Sequence, residues 1–394
     1  MGVVVGIDVA KDFHWVHAIE TSESQVLFSR RVDNDPVSIA ELVEELGELE
    51  RPRVGIDVVG GIASLLAAML LEAGLEVVHV SGLAVNRARQ GTVGGEHKSD
   101  PRDAGVIADQ VRHRRDLRAV DAISDLDAEI RLLVGRRREL VGDQTRRINR
   151  LRDLLSSIHP GLERVVDPTQ KAGQQLLLRY VTPHEIRRAG RRRLIDWVTR
   201  GGRFQARHVQ ALVDRALAAA QAQTTSVPGE HIAADLIREL AGEAAATRAR
   251  LAELDDQLIA ALERHPDAAL IRTLPGMGVV LTAEFIAQAG SIDRFATPDQ
   301  LAAAAGLAPV LKQSGKVHYL QRAHGGNKAL KRVFFQAAFC SLSSPDSKAF
   351  YTRKRAERKT HHQAVIALAR RRVDVLHAML RNRQPYELRP AKAA

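Results

Sequence analysis

The chain has 394 residues, 45% hydrophobic and 27% charged, which describes two or three folded domains and excludes a largely disordered polypeptide. Its 58 Lys and Arg against 47 Asp and Glu give a net charge of +11, an excess that favours polyanionic partners. A single cysteine excludes an internal disulfide and any zinc site built on Cys pairs, and 4% aromatics argue against base stacking as the main binding mode.

The chain opens without a basic leader, since MGVVVGID runs straight into an apolar β-like segment ending at Asp8. The longest apolar stretch, 58–71, is too short to cross a bilayer and is bracketed by Asp57 and Glu72. With reduced Cys340, these features predict a cytoplasmic, nucleoid-associated protein with no membrane partner. Further strands are predicted over 14–20 and 25–32. A helix over 36–49 follows, with Ile39, Leu42, Val43 and Leu46 on one face. Next come a short strand over 54–58, a helix over 64–73 closed by Gly74, and a strand over 76–80. Three strands followed by helix–strand alternation predict an RNase H-like α/β domain over 1–118.

The remainder reads as all-α. Over 119–265, amphipathic patterns at 121–160 and 229–264 predict two long helices, an antiparallel coiled hairpin or a dimerisation arm. A basic insert at about 160–228 separates them. Its RRAGRRR run at 187–193 is read equally well as a solvated turn or as a nucleic-acid contact. Pro266 begins a third domain, 266–394. Within it, LIRTLPGMGVVLTAEFIAQAG predicts a helix–hairpin–helix-like unit whose turn can present backbone N–H groups to phosphate. The rest of this domain is expected to be mostly helical and increasingly basic, with Arg353, Lys354 and Arg355 as candidate nucleic-acid contacts.

Four acids form the first candidate site: Asp8, Asp57, and Asp100 with Asp103 in KSDPRDA. Two end apolar β runs, and two lie three apart at the start of a predicted helix, where they share a side. Phosphodiester chemistry commonly uses two cations roughly 3.5–4 Å apart. Hard oxygen ligands suit Mg²⁺, or Mn²⁺ in its place. Pro101 suits a first helical turn, Asp100 would serve as an N-cap, and Lys98 and Arg102 could touch phosphate. GIDVAKD also resembles the first phosphate loop of actin-like ATPases, but that fold needs a second, glycine-rich lobe where this chain is helical and basic. The second constellation surrounds Ser314, followed by Gly315 and flanked by Lys312, Lys316, His318 and Arg322. A serine can attack a phosphodiester in such a cationic setting, although spacing alone describes an ordinary turn serine.

The ordered series GIDVAKD, KSDPRDA, LPGMG, TAEFIAQAG, AAAAGLAP, QSG and GGNKALKRVFFQAA resembles the DEDD insertion-sequence transposases. These are relatives of the Piv/MooV DNA invertases and bridge-RNA-guided serine recombinases. The resemblance covers nearly the whole chain. It implies a RuvC-like domain in which Asp8, Asp57, Asp100 and Asp103 hold metal, and a C-terminal transposase domain in which Ser314 is the nucleophile. It further implies donor and target DNA and a structured guide RNA as partners, and a homo-oligomer, dimer or tetramer, joined through the long helices. The family usually has Glu at the second acidic position, where this chain has the shorter Asp57. The expected function is strand cutting and rejoining by a mobile-element transposase. The alternatives are a RuvC-type nuclease using the acids alone and a non-catalytic DNA-binding protein.

Overall fold

The computed structural model describes residues 2–387 except 23–24, 92–95, 316 and 322, and divides into two compact units, 1–124 and 125–394. The first is built on strands β1 (Val3–Asp8), β2 (Phe13–Glu20), β3 (Val26–Asp33), β4 (Arg53–Ile56), β5 (Glu76–His79) and β6 (Arg118–Ala119). Their order is β3-β2-β1-β4-β5-β6, with β1, β4 and β5 parallel and the others antiparallel. An antiparallel three-strand meander feeding a parallel crossover half is the RNase H-like arrangement that the sequence predicts. Two short elements were not legible in the sequence: β6 and helix α3 (Gly82–Gln90). The remaining helices of this unit are α1 (Pro36–Gly47), α2 (Ser64–Glu72) and α4 (Asp100–His113).

Alternation along the strands builds two cores, one on each face. Val3, Val5 and Ile7 pack with Ile39, Leu42, Leu66 and Leu70 of α1 and α2. Val4, Val78 and Val80 pack with Ile107, Ala108 and Val111 of α4. Gly6 and Gly55 lie on the α4 face, and the reason is steric. A Cβ on Gly6 would stand 2.1 Å from the Ala104 carbonyl oxygen, and one on Gly55 2.4 Å from Val111 Cγ2. The helix can therefore lie closer to the sheet than any side chain would permit.

The second unit contains the long helices α5 (Asp125–Ile158) and α10 (Glu230–Arg264). Between them lie α6 (Pro160–Glu163), α7 (Lys171–Leu177), α8 (Pro183–Arg200) and α9 (Ala206–Ala222). Arg137 pairs with Asp255 and Arg147 with Glu243, so α5 and α10 run antiparallel, as one of the two sequence readings has it. One end of this pair, Leu151, Leu155, Ile158, Ala234 and Ile237, shares a core with α7, α8 and α9. The other end, Ile130, Val134, Leu258 and Leu262, enters the core of the C-terminal helices.

Those helices are α11 (Ala268–Arg272), α12 (Val279–Ala289), α13 (Pro298–Ala304), α14 (Lys328–Cys340), α15 (Pro345–Ala356) and α16 (His361–Asn382). Between α11 and α12, Gly276 adopts φ +86°, and a Cβ there would stand 2.2 Å from the Ala337 carbonyl oxygen. The Pro-Gly turn is thus seated on the end of α14. The structure adds a feature absent from the mostly helical reading: a ribbon of β7 (Val310–Ser314) and β8 (Val317–Gln321). No helix among the described residues is long and apolar enough to cross a membrane.

Candidate active site

Asp8 closes β1, and β1 pairs with β4 through Ile7 and Ile56, so Asp57, the residue after β4, emerges beside Asp8 at the same sheet edge. Two parallel neighbours thereby deliver carboxylates at their C-terminal ends, where open α/β sheets place their chemistry. The sequence repeats Val-Gly-Ile-Asp at 5–8 and 54–57. In each copy the glycine sits two residues before the acid, hence on the same sheet face. That face is the one covered by α4, whose first turn carries Asp100 and buried Asp103. The close approach allowed by Gly6 is thus what brings the third and fourth acids toward the first two. This repeat is the sequence signal for the close packing of α4 on the sheet.

The electrostatics register the convergence. Asp8 is raised to about 7, first by burial, then by Asp57, Asp103 and Asp100, with Lys98 opposing. Asp57 is also raised, chiefly by burial, against a hydrogen bond from Val9 N–H to its Oδ1 at 3.1 Å and the field of His79. His79 Nε2 lies 3.2 Å from the Asp57 carbonyl oxygen. His14 is fully buried, which pulls its imidazole below the ordinary range. Neither histidine was singled out in the sequence. Asp100 was expected to act as an N-cap. Ser99 takes that position instead, and Asp100 is the first helical residue, because the chain becomes helical one residue before Pro101.

Arg89 was also missed. From α3 it donates to both carboxylate oxygens of Asp103 at 3.0 Å, with only 11% and 8% of the two side chains exposed. Its guanidinium also donates to Asn86 Oδ1 at 2.8 Å. The donor set fits a hard divalent cation in kind: four carboxylates, two of them held toward the protonated state by burial and mutual repulsion. It falls short of a closed coordination shell. Among the described residues no group of three or more His, Cys, Asp and Glu stands at ligating spacing, and Asp103 is engaged by Arg89.

Lys98 is exposed and Arg102 partly buried, both beside the acid-bearing turn. Ser314 is the exposed last residue of β7, opposite Val317, and Gly315 turns the ribbon at φ +55°. Lys312 is exposed and pairs across the ribbon with Tyr319, while Lys316 and Arg322 lie outside the described residues. At the ribbon's root, Gly306 and Gly326 approach so closely that a Cβ on either would fall 2.6 Å from backbone. Lys331 Nζ donates to the Gly306 carbonyl at 2.9 Å. Arg353 and Lys354 stack on Phe350, Lys354 reaches Glu357 at 2.9 Å, and Arg355 donates to the Lys359 carbonyl at 2.6 Å.

An RNase H-like sheet with acids gathered at the ends of β1 and β4 and the start of α4 defines the class, a nuclease-like domain of the RuvC kind. Domains of this class generally use divalent metal ions. The family model DEDD_Tnp_IS110, a transposase, matches residues 5–160, and "Transposase IS116/IS110/IS902 family" matches 268–352. The "Insertion element IS116 uncharacterized 44.8 kDa protein" of Streptomyces clavuligerus is 39% identical, covering 98% of this chain and 96% of its own length. The "Mini-circle putative transposase for IS117" of Streptomyces coelicolor is 27% identical, covering 98% of this chain and 95% of its own. The "Pilin gene-inverting protein" of Moraxella bovis is 29% identical, covering 35% of this chain and 46% of its own. Among solved structures, Thermus thermophilus RuvC with a Holliday junction is similar at 16% identity and a TM-score of 0.24. That match covers 30% of this chain and 100% of RuvC. The chain belongs to the IS116/IS110/IS902 transposase family. It is a DNA-cleaving and rejoining enzyme of insertion elements.

Proposed function

We propose that this transposase works as a serine recombinase of the Piv/MooV type, with Asp8, Asp57, Asp100 and Asp103 as metal ligands and Ser314 as nucleophile. The observation that carries the acidic half is the raising of Asp8 to about 7, first by burial and then by the charges of Asp57, Asp103 and Asp100. Such a cluster gains most from a bound cation, because the cation removes the repulsion that burial intensifies. Mg²⁺ or Mn²⁺ bound there would supply charge neutralisation for the scissile phosphate. Asp57 carries one methylene fewer than the Glu usual in the family, and Val9 N–H holds its carboxylate. Arg89 occupies one lone pair on each Asp103 oxygen, so the carboxylate retains acceptor capacity for a cation while its ion pair holds it in place.

In the serine half, the Ser314 hydroxyl oxygen forms a bond to phosphorus while the bond from phosphorus to a deoxyribose oxygen breaks. The serine proton is passed by way of a base to the departing hydroxyl. Attack by another strand's hydroxyl reverses the exchange and restores serine, so the phosphodiester energy is conserved. Exposure of Ser314 at a ribbon end supports this role, since a bulky duplex must reach it. The finer partners belong to the same reading: donor and target DNA, a structured guide RNA, and a homo-oligomer joined through α5 and α10. So do three domains, 1–118, 119–265 and 266–394.

A denatured reaction tests it. Protein joined to DNA through phosphoserine is the expected product, and Ser314→Ala should remove both the adduct and the cut strand. Free cut ends from Ser314→Ala would replace the serine mechanism with water attack, as in a RuvC-type nuclease.

A further inference from the structure

The charge of this protein is unevenly placed. Residues 160–228 hold 12 Lys and Arg, 11 of them Arg, against 5 Asp and Glu, a net of +7 within the chain's +11. Most of the acids there are already engaged. Asp214 binds Arg191, Glu185 binds Arg238, and Glu163 and Asp167 face Arg152. Two of those three arginines, Arg238 and Arg152, lie outside the segment, so its own cations are left largely unbalanced.

The fold sorts the five arginines of 187–193 into two jobs. Arg187 donates to the carbonyls of Ala220 and Gln223 at the end of α9, and Arg191 makes a two-pronged pair with Asp214 of α9. These two fasten α8 to α9. Arg188, Arg192 and Arg193 are exposed and have no hydrogen-bond or ion-pair partner among the described residues. Gly190, at φ +72° and ψ 165°, bends α8 inside the run, with open space around it. Three guanidinium groups so close in sequence repel one another, and the single exposed Asp196, one turn further along α8, offsets that charge only in part.

We propose that Arg188, Arg192 and Arg193 grip the phosphate backbone of duplex DNA, giving the transposase a sequence-independent hold through its 160–228 helical segment. Arginine forks match phosphate oxygens two at a time, which suits a backbone contact better than lysine would. A single-stranded partner would need a free aromatic face. Here Trp197 donates its Nε1 to the Gln175 carbonyl and meets Tyr180 edge-on, with Arg179 lying over both rings. Duplex DNA is the substrate of the family's reaction, so it is present at the protein. The inference rests on family membership and is independent of the Ser314 and metal assignments.

The test measures binding of the full chain, in EDTA, to a labelled duplex of arbitrary sequence over a range of salt concentrations. Each phosphate contact adds about 0.9 to the slope of log K against log salt, so Arg188→Gln/Arg192→Gln/Arg193→Gln should lower the slope by roughly 2 to 3. The triple Lys variant should keep the slope, which separates charge from loss of fold. An unchanged slope in the Gln variant overturns the proposal. So does an Arg191→Gln slope loss as large per charge as that of the triple variant, which would mean a response to net charge alone. A third arm uses an RNA hairpin. Loss of the hairpin with duplex DNA binding intact would assign the patch to RNA and overturn the DNA reading.

Discussion

Asp8 and Asp57 stand at the ends of adjacent parallel strands inside a six-stranded sheet packed on both faces, whereas Ser314 ends one strand of a two-stranded ribbon. The ribbon's Leu311, Val317, Tyr319 and Leu320 are exposed, Leu320 by 68%. An isolated two-stranded ribbon is marginal in water, so its conformation depends on the glycine-tight root at Gly306 and Gly326. The acids are preorganised by packing and the serine is only tethered. Metal chemistry needs the first arrangement, since carboxylates must be held against their repulsion. On the proposed serine mechanism, a nucleophile that must meet a bulky duplex would be served by the second.

The largest effect should come from removing an acid. Asp8→Ala or Asp103→Ala is expected to lower strand exchange by at least on the order of 10²-fold while nucleic-acid affinity stays within a few-fold. Recombination and binding assays run side by side read this, and full activity of either variant would end the metal-site assignment. Asp57→Glu should retain or raise activity. Its loss would mean that the site is built around the shorter side chain.

Glycine substitutions probe the supports directly. Gly6→Ala drives a methyl into the backbone of α4 and should cost on the order of 3 kcal/mol in the first unit. Gly315→Ala meets no atoms but sits at φ +55°, so it should cost only about 1 kcal/mol and leave the first unit's unfolding unchanged. Denaturant unfolding followed by probes in each unit distinguishes them. Equal effects would abolish the contrast between packed and tethered halves.

The pH dependence follows from Asp8. Its folded-state value, about 7, lies above the unfolded 3.8. Its stabilising contribution is therefore complete below about 3.8 and is lost as pH rises through about 7. Partial exposure screens the effect, so only a modest fall in thermal midpoint is expected between pH 5 and 7.5 in EDTA. Mg²⁺ should suppress that fall, and a slope untouched by Mg²⁺ would separate the titration from metal binding.

The smallest effect is expected at Arg353, Lys354 and Arg355. Lys354 and Lys359 both bind Glu357, which they hold down at about 2. Neutralising Arg353, Lys354 and Arg355 together should lower the salt slope of nucleic-acid binding by less than one per charge. A loss near 0.9 per charge would make this face a full phosphate contact.

Local chemistry wrote much of the first unit into the sequence. A continuous apolar run set β1, Gly74 ends α2 at φ +75°, and acids closing apolar runs marked the candidate site. The same holds for α5 and α10, whose apolar repeats extend over 34 and 35 residues. Tertiary structure alone decided three things. The exposed β7–β8 ribbon carries no buried face, so no period-2 pattern of burial distinguishes it from a loop. Arg89 finds Asp103 across 14 residues because α3 and α4 pack together, and no local rule couples them. The run at 187–193 divides into fastening and outward arginines only when α9 lies against α8. Charge is local information, but whether a charge is answered depends on what the fold brings beside it.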